Sequence, residues 1–440
     1  MSKPELAERA LVGNEHLVPA EVRSSLPGIR KGIFYGWWIV GVAMMAQIVS
    51  NGLSVYSYGL LVIPIGTELG VTRTEMMWGK TGFLIVALVA SPILGKLLDR
   101  YSARVLMALG SVSMGLSFIL LSVSETLAEV TLSFAVLPAF AYTLIGMLGT
   151  NTLVTRWFTN RRGRALALIA MGASIGGLLI PYLFQSLIDA SGWRSACLWV
   201  GVISIAVTLP VILLFVRNRP SDIGLNPDGA ETDATSMPPF TPAATTMQIS
   251  TLMRSVVFWR IGLGISAVFA AAAAVTINIV PFAQGHGLAA SQATLLLPMI
   301  AVSALAGKLV FSFVADRIDL KLALLSSMAL QALPIAALTQ VSDFTAMLAC
   351  AIIYGLASGT QVPSWAGLLA QVYGPRDFGF VMGCMLPLVT GTSALIIPLT
   401  AVLFDRTGDY VIAFMFLVAL TLLSVAIFLK PLRKEAGHPQ

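Results

Sequence analysis

Lys308 lies deep in an apolar run, after Leu305-Ala306-Gly307 without a charge and before Leu309-Val310-Phe311, eight residues short of Asp316. Eight residues of helix rise about 12 Å, more than a lysine stem covers comfortably by snorkelling to an interface. A cation so placed normally faces the interior of a helical bundle, where it compensates an anion. The bland alternative is a long side chain reaching for the headgroups. Two polar stripes accompany it. Gln47, Asn51, Ser54 and Tyr58 recur at i, i+4, i+7 and i+11, and Tyr354, Ser358, Gln361 and Trp365 repeat that spacing. Each stripe faces one way, and its polar atoms serve either a binding site or hydrogen bonds between helices. Tyr142, Asn151 and Asn278 are further polar residues in apolar surroundings.

Acids are placed differently. Asp99, Asp189, Asp316 and Asp405 all stand at the ends of apolar runs, so a carboxylate proton relay through the bilayer is missing. Gly172-Ala173-Ser174-Ile175-Gly176 spells the hydrolase pattern G-x-S-x-G. That motif needs a strand-turn-helix setting with acid and histidine partners, whereas here it lies within a run read as helix, where small residues allow close contact between helices. Gly355/Gly359 and Gly379/Gly383 repeat the small-x-x-x-small spacing. Cys197, Cys350 and Cys384 are odd in number and far apart, and His16, His286 and His438 are isolated, so neither disulfides nor a metal site is expected. No cofactor and no enzyme activity are expected.

The elements that must carry these residues follow from composition. Of 440 residues 57% are hydrophobic and only 11% charged, too few polar groups to clothe a soluble chain. Continuous apolar runs of about twenty residues argue for helices that cross a bilayer rather than barrel strands. Twelve are expected, near 35–62, 78–98, 105–122, 128–155, 165–188, 195–216, 257–283, 292–314, 321–340, 344–369, 378–402 and 410–430. They divide the chain into an amino tail (1–34), a first half (35–216), a linker (217–256), a second half (257–430) and a carboxyl tail (431–440). The linker is rich in Pro, Thr and Asp, and Ile249 to Phe258 reads as a short surface helix before span 7. With both termini cytoplasmic, 22 of the 27 Lys and Arg fall on the cytoplasmic side, and Arg73, Lys80, Arg194 and Arg406 fall opposite. The basic balance is thus a matter of topology, and no nucleic-acid partner is expected. Arg161, Arg162 and Arg164 are assigned to setting topology, so single alanines there should cost little flux.

A repeat runs through the whole. Pro64, Gly70 and Asp99-Arg100 recur 217 residues later as Pro281, Gly287 and Asp316-Arg317; Gly163, Asp189 and Gly192 recur 216 later as Gly379, Asp405 and Gly408. Six spans separate the copies, so the halves share one orientation as a parallel repeat.

The loop after span 2, Gly95-Lys96-Leu97-Leu98-Asp99-Arg100-Tyr101-Ser102-Ala103-Arg104, resembles the major facilitator pattern G-x-x-x-D-R-x-G-R-[RK], with Ser102 for Gly and Ala103 for a basic residue. Tyr35-Gly36-Trp37-Trp38, the block Arg156 to Gly163 and the linker opening Arg219 to Gly229 resemble the monocarboxylate transporter branch and its bacterial oxalate:formate antiporter relatives. The resemblance implies an all-α fold of twelve helices in two six-helix halves, a cytoplasmic membrane location, and gating by Asp99, Arg100, Arg104, Asp316 and Arg317. It also implies that Lys308 stands where the branch carries an intramembrane arginine, with Ala304 at the place of an aspartate. The function it points to is secondary transport of a small organic anion, a monocarboxylate, by alternating access, with a proton or a counter-anion as coupling ion. Substrate contacts are expected from Lys308, Gln47, Asn51, Tyr58, Tyr142, Asn278, Tyr354 and Gln361. Export of a neutral or drug-like solute is the alternative within the family, and a membrane sensor the alternative outside it.

Overall fold

The computed structural model describes residues 34–229 and 247–429. Most of the amino tail, the middle of the linker and the carboxyl tail lie outside the described residues. Among the described residues, eleven helices are long and apolar enough to cross a membrane. One of them, Arg162–Phe215, holds two spans: Gly192 at φ 76°, ψ 162° breaks its 54 residues into spans 5 and 6. Twelve spans result. Their outward residues are large and apolar, as Ile85, Val89 and Ile93 show at one-turn intervals on span 2, each more than half exposed. Lipid is the solvent for such a face.

Spans are bounded by caps that the sequence spells out. Thr72 and Glu75 form a capping box at the start of span 2 (Arg73–Arg100), and Asp319 and Asp343 cap spans 9 (Leu320–Leu338) and 10 (Phe344–Tyr373). Each such cap contributes about 1 kcal/mol. The remaining spans are 3 (Ala103–Ser122), 7 (Val256–Gly285), 8 (Ala290–Val314), 11 (Phe378–Thr407) and 12 (Val411–Leu429). A six-residue helix, Ile249–Arg254, precedes span 7.

Two spans differ from the continuous helices expected. Span 1 runs from Gly36 to Asn51, widens into a π-helical turn at Gly52–Tyr56, and resumes over Tyr58–Leu69. Span 4 is three pieces, Leu127–Ala135, Leu137–Ile145 and Met147–Trp157. Pro138, which has no N–H to donate, stands at the start of the middle piece, and Gly146 at ψ −149° ends it. Hydropathy is blind to both interruptions because each span stays apolar on average, Ser54 and Tyr56 notwithstanding.

The repeat is visible in the backbone. Gly70 and Gly287, and likewise Gly192 and Gly408, all take positive φ. The halves meet through two matching pairs, span 2 on span 11 and span 5 on span 8. A Cβ on Gly95 would strike the Gly379 carbonyl, and one on Gly383 the Ser91 carbonyl, so only bare backbone permits this approach. Gly172 and Gly176 do the same for span 5 against span 1, and Gly355 and Gly359 for span 10 against span 8.

Candidate functional site

Contacts between the halves gather at the face that carries the linker. Asp99, at the end of span 2, accepts from the backbone N–H groups of Gly379 (3.0 Å) and Phe380 (2.6 Å) at the start of span 11. A carboxylate at a helix start meets both unpaired donors and the positive end of the helix dipole. Arg156 lies 3.9 Å from Asp99 and donates to Leu98 O at 2.5 Å, its side chain almost fully buried. The repeat copy obeys the same logic. Asp316, after span 8, accepts from Arg164 N at 3.0 Å at the start of span 5. Gly163 and Gly379 occupy equivalent places, where a Cβ would crowd Ala315 and Asp99 respectively. The two seals are unequal, since the Asp99 side chain is 1% exposed and Asp316 is exposed. Although Asp316 keeps contact with solvent, partial desolvation by the protein around its carboxyl is the largest influence and raises its pKa above the usual 3.8, against the lowering effect of the Arg164 and Gly163 N–H groups and the Arg164 charge.

The other three residues expected to gate are placed differently. Arg100 is exposed, with its guanidinium 5.6 Å from the Tyr101 ring. Arg104 is bonded within the first half, to Asn218 Oδ1 through its backbone N–H and to Leu213 O through its side chain. Arg317 is exposed.

Deeper in the bundle, Lys308 turns toward the other half and not toward the headgroups. Its Nζ donates to Ser174 Oγ at 2.7 Å and Ala170 O at 3.0 Å, both on span 5. No carboxylate among the described residues pairs with it. Its charge is therefore met by neutral dipoles, which compensate a buried ammonium less well than an anion would. Asn151 on span 4 also points across, with Nδ2 3.9 Å from Met382 Sδ of span 11.

The stripes resolve residue by residue. Gln47 donates to Thr150 Oγ1 on span 4 at 2.9 Å, and Asn51, partly exposed, donates back to Gln47 O at 3.1 Å. Tyr142 is partly exposed, its ring 5.6 Å from that of Phe83. Tyr58 is buried with its hydroxyl donating to Met76 O, and its ring lies 4.1 Å from Phe134. In the second half Tyr354 donates to Ala272 O at 3.1 Å, Asn278 to Thr400 Oγ1 at 3.0 Å, and Gln361 to Gln331 Oε1. All three are buried among their own half's helices, although Gln331 Nε2 and Trp365 Nε1 beside them lack a partner among the described residues.

Several residues with specific roles are not singled out by sequence. Ser174 reads as packing filler, yet its hydroxyl is the Lys308 partner. Arg156 reads as one more positive-inside charge, and only its placement against Asp99 distinguishes it. Arg162 departs from the topology reading: it is buried, donating to Phe158 O at 3.0 Å and Thr155 O at 3.3 Å. Asp228, in the linker opening, accepts from the backbone N–H groups of Thr159, Asn160 and Arg161 and so ties the linker to the span 4–5 loop. The turn chemistry of Pro227-Asp228-Gly229 was the available signal. Among the described residues no cluster of His, Cys, Asp and Glu is arranged to hold a metal.

Two six-helix halves thus meet at symmetry-related pairs of an acid and a helix start. The Major Facilitator Superfamily model matches residues 43–310 and again 263–440. The chain belongs to this superfamily. Human monocarboxylate transporter 11 is 27% identical over 393 residues, covering 86% of this chain and 80% of that protein. Two solved structures share the fold. The human organic anion transporter MFSD10 (TETRAN) aligns with a TM-score of 0.67 at 15% identity, over 89% of this chain and 99% of its own. The proton:xylose symporter XylE, bound to 6-bromo-6-deoxy-D-glucose, aligns with a TM-score of 0.71 at 14% identity, over 90% and 95%. This member of the superfamily is a multi-pass transporter and not an enzyme.

Proposed function

We propose that the protein is a secondary carrier of a small organic anion, a monocarboxylate, working by alternating access with proton symport or anion exchange. The observation that carries this reading is Lys308, a cation inside the bundle that bridges the halves and is met only by Ser174 Oγ and Ala170 O among the described residues. Relatives named as monocarboxylate transporters support the same solute class. A carboxylate arriving between spans 5 and 8 would supply the missing countercharge, and its entry would favour the protonated ammonium. Substrate and proton then bind together, which gives symport. A lysine protonated throughout would leave the empty carrier with an unpaired charge, and exchange would outrun net uptake.

Asp99 and Asp316 act as the gate on the linker face, which the charge asymmetry makes cytoplasmic, with both termini on that side in a cell membrane. Sealing there describes the state whose site opens to the opposite side. Uptake into proteoliposomes of lactate, pyruvate, oxalate and an aromatic acid, with and without a pH gradient, tests the reading. Saturable movement of at least one acid with countertransport is expected. Movement of a neutral solute and of none of the acids would overturn it.

A further inference from the structure

By charge counting, Lys80 belongs to the face away from the linker. In the structure it sits seven residues into span 2, about 10 Å along the helix from Arg73. A lysine at that depth has the reach to snorkel outward. Instead its Nζ is turned onto span 1, donating to Ser54 O at 2.7 Å and Val55 O at 3.3 Å. Those carbonyls belong to the π-helical turn Gly52–Tyr56, where one extra residue per turn displaces backbone groups from their ordinary helical partners. Two ties flank the turn: Ser57 Oγ donates to Gly52 O at 2.7 Å, and Tyr58 donates to Met76 O one turn before Lys80. The ammonium also lies 4.8 Å from the Phe83 ring centroid, and Phe83 in turn meets Tyr142. No carboxylate among the described residues pairs with it.

An ammonium has three donors, and two carbonyls engage two of them. Dipoles and a ring face steady the charge without cancelling it. We propose that Lys80 and the π-turn of span 1 form a second carboxylate-binding point, separate from Lys308, on the side of the bundle away from the linker. Half-exposed Tyr56 and partly exposed Tyr142 offer aromatic surface for the body of the solute. The site rests on the anion reading given above and deepens it: an anion entering from the side opposite the seal meets Lys80 before Lys308.

The test has two arms. In proteoliposomes, Lys80→Met is expected to raise the KM for pyruvate, lactate or phenylacetate by about tenfold or more, the order of one lost charge-assisted contact, while Lys80→Arg stays within about threefold. Unchanged KM in Lys80→Met would overturn the site. The wild-type carrier provides the second arm, free of any folding defect. Reductive methylation of Lys80, followed by mass spectrometry, is expected to slow in the presence of those acids and not of their carboxamides. Equal methylation with acid, amide and buffer would overturn the site even if Lys80→Met fails to fold. If wild-type protein moves none of the acids, the anion reading falls and takes this site with it; if it moves them while Lys80 stays unprotected, only this site falls.

Discussion

Asp99 is the centre of the proposed gate, with two N–H bonds from span 11 and a buried arginine at its side. Charge-assisted hydrogen bonds of this kind contribute about 1.5–3 kcal/mol, and about 1.4 kcal/mol is a tenfold change in an equilibrium. Asp99→Asn keeps the shape and removes the charge. It is expected to shift the population toward the state open on the linker face, seen as faster labelling of single cysteines placed there; unchanged labelling with normal transport would remove the gate role. Arg162 makes a different prediction. Its guanidinium bonds two carbonyls in a buried place, so Arg162→Ala should destabilise the protein by about 1–3 kcal/mol, read as a lowered unfolding temperature. Arg161→Ala should leave that temperature near wild type. Equal effects of the two would contradict the burial argument. Sequence distinguishes neither case, because Arg156, Arg161, Arg162 and Arg164 share one basic block, and only folding decides which guanidinium turns inward.

Helices set the second scale, where the starts of spans 5 and 11 carry the contacts of the proposed gate. Span 5 begins between two carboxylates, Asp228 of the linker opening and Asp316 of the second half. In the proposed rocking motion the first contact would persist and the second would break. Desolvation raises the Asp316 carboxyl in this arrangement, so a parted state of the proposed gate with that group open to water would bind a proton less tightly. The sign follows by linkage: this contribution favours the seal fully below the ordinary value of 3.8 and is withdrawn as pH rises through the raised one. Cysteine labelling at the start of span 5 should therefore increase with pH on the acid side of neutrality, modestly because Asp316 is exposed, and Asp316→Asn should flatten that dependence. A wild-type slope in Asp316→Asn would assign it to another group. Of these elements, the paired glycines were legible in sequence, since their spacing announces close approach. The π-turn of span 1 and the breaks of span 4 were not, because both spans stay apolar on average across them and single Gly and Pro residues are tolerated inside membrane helices.

Across the whole molecule, a 216–217 residue repeat written in Pro, Gly and Asp becomes two halves that touch through equivalent spans, and the superfamily model matches the chain twice. Solute class is carried by far less. The polar stripes mark common helix faces but not their destinations: Gln47 is bonded to Thr150 on span 4, Asn51 folds back on its own span, and Tyr354 and Gln361 are likewise bonded within their own half. Periodicity identifies a common face and says nothing of whether that face meets a cavity or a neighbouring helix. Lys308 is what the proposed anion reading rests on, a partly buried cation that no carboxylate among the described residues pairs with. The decisive measurement is carboxylate uptake by Lys308→Gln and Lys308→Arg in proteoliposomes, normalised to inserted protein. Loss of anion transport in the Gln variant, and in the Arg variant retained binding with exchange faster than net uptake, is the predicted result. Uptake by Lys308→Gln at the wild-type rate and with the wild-type pH dependence would contradict it.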